Sequence, residues 1–163
     1  MIRILFVCHG NICRSPMAEF VFRKKAAERG VSYLFSVASA ATSTEEIRNG
    51  VGNPVYPPAV RELKKHGITC EGKRAVQVTK DDYAAYDYLL CMDGNNIRNL
   101  SRIIGGDPEG KVRRFMEPTA RGGDVADPWY TDRFDVTYRD IEEGCEAWLD
   151  RLIPQVLGKE GKK

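Results

Sequence analysis

At 163 residues, with 42% hydrophobic and 29% charged residues, the chain has the size and composition of one folded domain with a sizeable core. Its 25 basic and 23 acidic residues leave a formal net charge of +2, which excludes a nucleic-acid footprint spread over the whole surface. No apolar run is long enough to span a bilayer, and five cysteines with two histidines and no Cys-x-x-Cys pair argue against a disulfide framework and a structural zinc site.

The stretch Met1 to Val7 is too short for a secretory signal, so the chain is expected to begin at Met1 and to work in the cytoplasm. Ile2 to Val7 reads as a buried strand by its length and β-branched content. Cys8 to Arg14 is a turn-prone loop containing Gly10 and Asn11. Ser15-Pro16 then marks a helix start, with Ser15 as N-cap, and Ala18, Val21, Phe22 and Ala26 follow at helical spacing until Gly30. Tyr33 to Ala38 reads as a second strand and 40–58 as a loop. A short helix is expected from Pro58 to His66, stopped by Gly67. Asp87 to Met92 is a third strand, Asn95 to Ile103 a helix, and Lys111 to Phe115 a short fourth strand. Phe134, Tyr138, Ile141, Cys145, Trp148, Leu152 and Val156 alternate spacings of three and four and mark a final helix, which Pro154 is expected to end or kink. Strands alternating with helices argue for an α/β fold, a parallel sheet covered on both faces. Residues 1–158 are expected to form one domain and 159–163 a frayed, disordered tail.

The most informative segment is Val7-Cys8-His9-Gly10-Asn11-Ile12-Cys13-Arg14-Ser15-Pro16. A cysteine six positions before an arginine is weak by itself, and the chain holds a second instance in Cys145 and Arg151. That pair lies inside an amphipathic helix with Cys145 on the apolar stripe, which makes it a core residue. Cys8 instead sits between a strand and a helix, with Gly10 and Asn11 permitting unusual backbone angles. Such a loop turns its N–H groups inward as an anion cradle. Arg14 adds a planar, bidentate clamp for phosphate oxygens, and the same field favours the thiolate of Cys8. A cation just before a helix start opposes the helix dipole, a cost that makes sense if an anion binds there. On residues alone, an inert thiol at a strand end remains the alternative for Cys8.

This run resembles the phosphate-binding loop of low-molecular-weight protein tyrosine phosphatases almost residue for residue. Ser39-Ala40, Lys65 to Ile68, Asp87 to Asp93 and the Asp127-Pro128-Trp129-Tyr130 loop extend the resemblance over most of the chain. The resemblance implies a four-stranded parallel sheet flanked by helices, a Rossmann-like three-layer sandwich, and a phosphatase that needs no metal or cofactor. It makes Cys8 the nucleophile, Arg14 the phosphate clamp and Asp127 the general acid and base acting on phosphotyrosine in a protein partner. His9, Gly10, Asn11, Ile12, Cys13 and Ser15 would form or support the loop, with the Ser15 hydroxyl on the sulfur. Asn11 and Ser39 would meet, with His66 either in that network or capping its own helix. Trp129 and Tyr130 would wall the slot for the substrate ring. Cys13 would form a reversible disulfide with Cys8 under oxidants. By local sequence alone, Asp127 reads as a turn residue, Trp129 and Tyr130 as core aromatics and Cys13 as a small buried side chain.

Departures from the family pattern concern the rim. Glu45, Glu46, Ile47 and Arg48 stand where many members place an aromatic, Tyr56-Pro57-Pro58 replaces an Asp-Pro pair, and Val76 replaces an arginine. A protein-arginine phosphatase of the same fold is the nearest alternative, but that subgroup carries Thr where this loop has the apolar Ile12. An arsenate reductase would need redox cysteines at short spacing, and Cys70 and Cys91 are far apart. A silent phosphate- or phosphopeptide-binding module would lack the nucleophile or the acid, and this chain has both.

Overall fold

In the computed structural model, which describes residues 1–160, the chain builds a four-stranded parallel sheet and a separate two-stranded one. In chain order the elements are β1 (Ile2–Cys8), α1 (Arg14–Glu28), β2 (Phe35–Ala41), β3 (Ile47–Arg48), β4 (Val51–Gly52), α2 (Pro57–Lys65), α3 (Asp82–Ala85), β5 (Tyr88–Cys91), α4 (Gly94–Ile104), β6 (Val112–Arg114), α5 (Pro128–Thr131) and α6 (Phe134–Glu160). The main sheet runs β2-β1-β5-β6, all parallel.

Alternation along β1 divides the core into two layers. Ile4, Phe6 and Cys8 face one side with Leu90, packing on Phe115 after β6 and on α1 and α6 through Phe22 and Trp148. Leu5 and Val7 face the other with Leu89 and Cys91, under Leu100 and Ile104 of α4. Phe6 meets Phe22 and Phe115 at ring-centroid distances of 5.7 and 5.9 Å. The Trp148 indole N–H donates to the Phe115 carbonyl at 2.6 Å. The backbone of α6 passes so close to Phe115 that a Cβ on Gly144 would lie 2.2 Å from its ring.

This topology positions a site. From β1 the chain crosses to β2 on one side, and β5 lies on the other, so the order reverses at β1. A crevice forms outside the carboxyl ends of the strands at such a switch point. The carboxyl end of β1 is Cys8.

Some boundaries differ from the sequence reading. Helix α1 starts at Arg14 with Cys13 in the N-cap position, so Ser15 lies within the first turn and its hydroxyl is used elsewhere. A 3-10 turn over Ser32–Leu34 delays β2 to Phe35. Part of the expected 40–58 loop forms the β3–β4 hairpin. Helix α6 runs through Pro154 to Glu160. The carbonyl that loses its partner belongs to the exposed Asp150, where water can take the bond, while buried Leu152 and Val156 hold the turn on the core. Residues 161–163 of the expected tail lie outside the described residues. No helix among the described residues is long and apolar enough to cross a membrane.

Candidate active site

The loop after β1 wraps a cleft of about 140 Å³ lined by loop residues 8–14 together with Glu45, Glu46, Asp127, Trp129 and Tyr130. Three stretches far apart in sequence therefore meet over the end of the central strand. Asn11 adopts φ 61°, a left-handed conformation that asparagine tolerates, and its N–H turns back onto the Cys8 sulfur at 3.3 Å. It is Asn11, not Gly10, that takes the unusual backbone angle. The first N–H groups of α1 have no carbonyl within the helix and carry its positive pole, a setting that suits an anion.

Hydrogen-bond directions around the sulfur are fixed by the side chain of Asn11. Its Oδ1 accepts from the Val76 N–H at 3.1 Å, so its amide nitrogen must donate. It donates to Ser15 Oγ at 2.7 Å and to Ser39 Oγ at 3.0 Å. Ser15 accepts there, which frees its own hydrogen for Cys8 Sγ at 3.0 Å. Ser39 in turn donates to Glu19 Oε1 at 2.6 Å. The pairing of Asn11 with Ser39 matches the expectation from the sequence. His66 is not part of this network. Its ring bonds Glu62 at 3.1 Å and stacks on Tyr138 with centroids 3.6 Å apart.

Arg14 is 3% exposed. Its Nη1 donates to Asp93 Oδ2 at 2.6 Å and to the Val125 carbonyl at 3.0 Å, while Nη2 lies 3.5 Å from Asp127 Oδ2. Burial opposes its charge, but Cys8, Asp93 and Asp127 outweigh that and hold its pKa above the usual arginine value. Asp93 is itself fixed as the N-cap of α4, in a reciprocal capping box with Asn96.

Asp127 caps α5, accepting from the Trp129 N–H at 3.0 Å, and so combines the turn role with a place in the cleft. Trp129 is 55% and Tyr130 84% exposed, which makes them walls of an open mouth and not core residues. Trp129 is braced by Tyr56 at 5.0 Å. His9 pairs with Glu45 at 3.0 Å across the cleft's edge. Ile12 is buried and gives the cleft lining an apolar face. Burial, reinforced by the charges of Cys8 and Asp127, pushes the Cys13 thiol well up, which keeps it protonated and a poor nucleophile. All five cysteines are free.

The sequence reading missed three participants: Asp93, Glu19 and Lys73, whose Nζ donates to the Ser39 carbonyl. Glu19 could have been found, since it follows Ser15 by one helical turn and is a carboxylate on a buried face. The Asp-x-x-Asn spacing of Asp93 and Asn96 announces a cap, but nothing local announces its bond to Arg14.

Comparison with known proteins follows the same geometry. Residues 3–162 match the family model described as low molecular weight phosphotyrosine protein phosphatase. The low molecular weight protein-tyrosine-phosphatase YfkJ of Bacillus subtilis is 37% identical over 151 residues, covering 91% of this chain and 94% of its own. The low molecular weight phosphotyrosine protein phosphatase of Gallus gallus is 40% identical over 154 residues with the same coverage. The crystal structure of YfkJ superposes with a TM-score of 0.88 at 35% identity, over 95% of this chain and 96% of that one. The YwlE arginine phosphatase superposes at 0.80 with 27% identity, over 93% and 95%.

Proposed function

The chain belongs to the low molecular weight phosphotyrosine protein phosphatase family, and from that premise we propose that it hydrolyses phosphotyrosine in proteins, and small aryl phosphates, through a phosphocysteine formed on Cys8. The observation that carries this reading is the convergence of Cys8, Arg14 and Asp127 in one cleft at the carboxyl end of β1. The Cys8 thiolate attacks phosphorus as the bond from phosphorus to the phenolic oxygen breaks. Asp127 gives its proton to the departing oxygen. Arg14 and the loop N–H groups hold the equatorial oxygens, where charge is greatest in the transition state. Water then attacks the phosphocysteine, Asp127 takes its proton, and the sulfur leaves as a thiolate stabilised by the Ser15 hydroxyl and the Asn11 N–H.

Ile12, Trp129 and Tyr130 give the mouth apolar faces that suit a flat ring. Five free thiols fit a reducing, cytoplasmic setting. The test is hydrolysis of an aryl phosphate in EDTA by the native chain, Cys8→Ser and Asp127→Asn. Turnover should vanish in Cys8→Ser. Asparagine can still accept from the Trp129 N–H but carries no acid proton, so Asp127→Asn should lose about 10²–10⁴-fold in kcat. Phosphotyrosine peptides should be hydrolysed faster than phosphoarginine peptides; the reverse order would assign the chain the substrate class named for YwlE. Full activity in Cys8→Ser would overturn the nucleophile.

A further inference from the structure

Lys73 is a part-buried amine that the proposed reaction leaves without a task. Its side chain is 13% exposed, on the segment that follows α2 and leads to Val76. Its Nζ donates to the Ser39 carbonyl at 2.9 Å and lies 3.7 Å from Glu19 Oε1. Ser39 belongs to β2, one neighbour of β1. Arg14 is anchored beyond the end of β5, the other neighbour, through Asp93. The nucleophile at the end of β1 is thus flanked by a cation toward each side, Arg14 buried and Lys73 part-buried.

Glu19 and Arg23 of α1 and Cys8 of β1 are the charged groups that act on Lys73. Burial pulls its pKa below the ordinary lysine value. Glu19 pushes back, Arg23 adds to the depression, and the negative charge of Cys8 pushes back as well. Coupling between two ionisations is reciprocal: if a charged Cys8 favours charged Lys73, then charged Lys73 favours the thiolate equally. Glu19 also sets a direction. As an ionised carboxylate it can only accept from Ser39, so Ser39 must accept from Asn11, and the chain ends with a proton donated to the sulfur. The buried Glu19 carboxylate is paired on both oxygens, with Arg23 at 2.8 Å from Oε2 and Lys73 at 3.7 Å from Oε1.

We propose that Lys73 is a positioning residue that holds Cys8 as a thiolate and, by keeping Glu19 an acceptor for Ser39, supports the Asn11 donation that leaves the Ser15 hydrogen on the sulfur. This rests on Cys8 being the nucleophile. The group works at a distance, through Ser39 and Glu19, and touches no substrate atom.

The test is the pH profile of Cys8 alkylation by iodoacetamide, a neutral reagent, read by peptide mass spectrometry in the native chain, Lys73→Met and Glu19→Gln. Removing the cation should move the alkylation midpoint of Lys73→Met upward by roughly half to one pH unit, with about threefold to tenfold slower alkylation below it. The kcat/KM for an aryl phosphate should fall in parallel at low pH and recover as pH rises. Glu19→Gln removes the neighbouring negative charge and keeps an acceptor for Ser39, so its midpoint should move the opposite way. Lys73→Arg, which keeps the charge, should stay near the native midpoint. A native-like profile in Lys73→Met would overturn the proposal, as would shifts of the same sign in Lys73→Met and Glu19→Gln, the pattern of mere loosening. Native activity surviving complete alkylation of Cys8 would instead remove the nucleophile reading, and this inference with it.

Discussion

The two walls of the cleft are built in contrasting ways. Apart from His9 and Gly10, the loop from Cys8 to Arg14 is buried, Asn11 and Arg14 are hydrogen-bonded to β2, α1 and the N-cap of α4, and each bond there has one permitted direction. The opposite wall, the β3–β4 hairpin and the turn before it, rests on a few ties. Asn53 donates to Glu46 through its backbone and side chain, Ala75 N–H donates to the Asn53 carbonyl, and Arg74 donates to the Gly52 carbonyl. Chemistry needs groups held to a fraction of an ångström, whereas a rim that meets varied peptides needs only the right charge and room. Substitutions in the first wall should therefore act on kcat, and those in the second on KM and stability.

The sharpest break of this contrast is Arg14→Lys. An ammonium cannot reach Asp93 and the Val125 carbonyl while also presenting a planar fork to phosphate. We expect kcat on an aryl phosphate to fall about 10²–10³-fold. A loss confined to KM would place Arg14 outside the transition state. Ser15→Ala should rank next. It removes one hydrogen bond to a charged sulfur, worth about 1.5–3 kcal/mol, or roughly 10–100-fold. The loss should fall on release of the phosphocysteine, so a burst of the phenol leaving group followed by slow turnover is the expected signature in stopped-flow.

How far the sequence carried this picture follows the same division. Strand β1, the phosphate loop and α6 were legible because their information is local: a run of β-branched residues, a cysteine and an arginine bracketing a turn, a long stripe at helical spacing. Glu19 with Ser39, and Arg14 with Asp93, pair across 20 and 79 residues of sequence, and no local pattern encodes such meetings. The hairpin was unreadable for a different reason. Strands of two residues have no period, and what holds them is a close approach to Ala75. The continuation of α6 through Pro154 shows tertiary packing overriding a local stop signal.

Gly52→Ala exploits that close approach. A Cβ there would sit 1.8 Å from the Ala75 carbonyl oxygen, which cannot give way without moving the segment that carries Lys73 and Val76. Such overpacking costs about 1–3 kcal/mol. Thermal unfolding should shift down accordingly, while kcat on a small aryl phosphate should stay within a few-fold of native. A large loss of kcat would show that the hairpin braces the phosphate loop as well as the rim.

The smallest effect should come from the rim charges. Glu45 is 70% exposed with one oxygen on His9, and Glu46 spends one oxygen on Asn53. Each keeps a second oxygen for a cation on a passing peptide. Peptides with arginine beside the phosphotyrosine should then be preferred over those with glutamate. Exposed pairs contribute about 0.2–1 kcal/mol, so Glu45→Gln and Glu46→Gln should each narrow that preference by roughly 1.5- to 5-fold. The change should appear in KM and shrink as salt rises through the range where screening reaches about 10 Å and below. Neither glutamate is bonded to the sulfur, to Arg14 or to Asp127, so kcat should hold. If kcat moved instead, the rim would be acting through Gly10, whose Cα carries no side chain and stands against Glu46, and the division between the two walls would be one of degree.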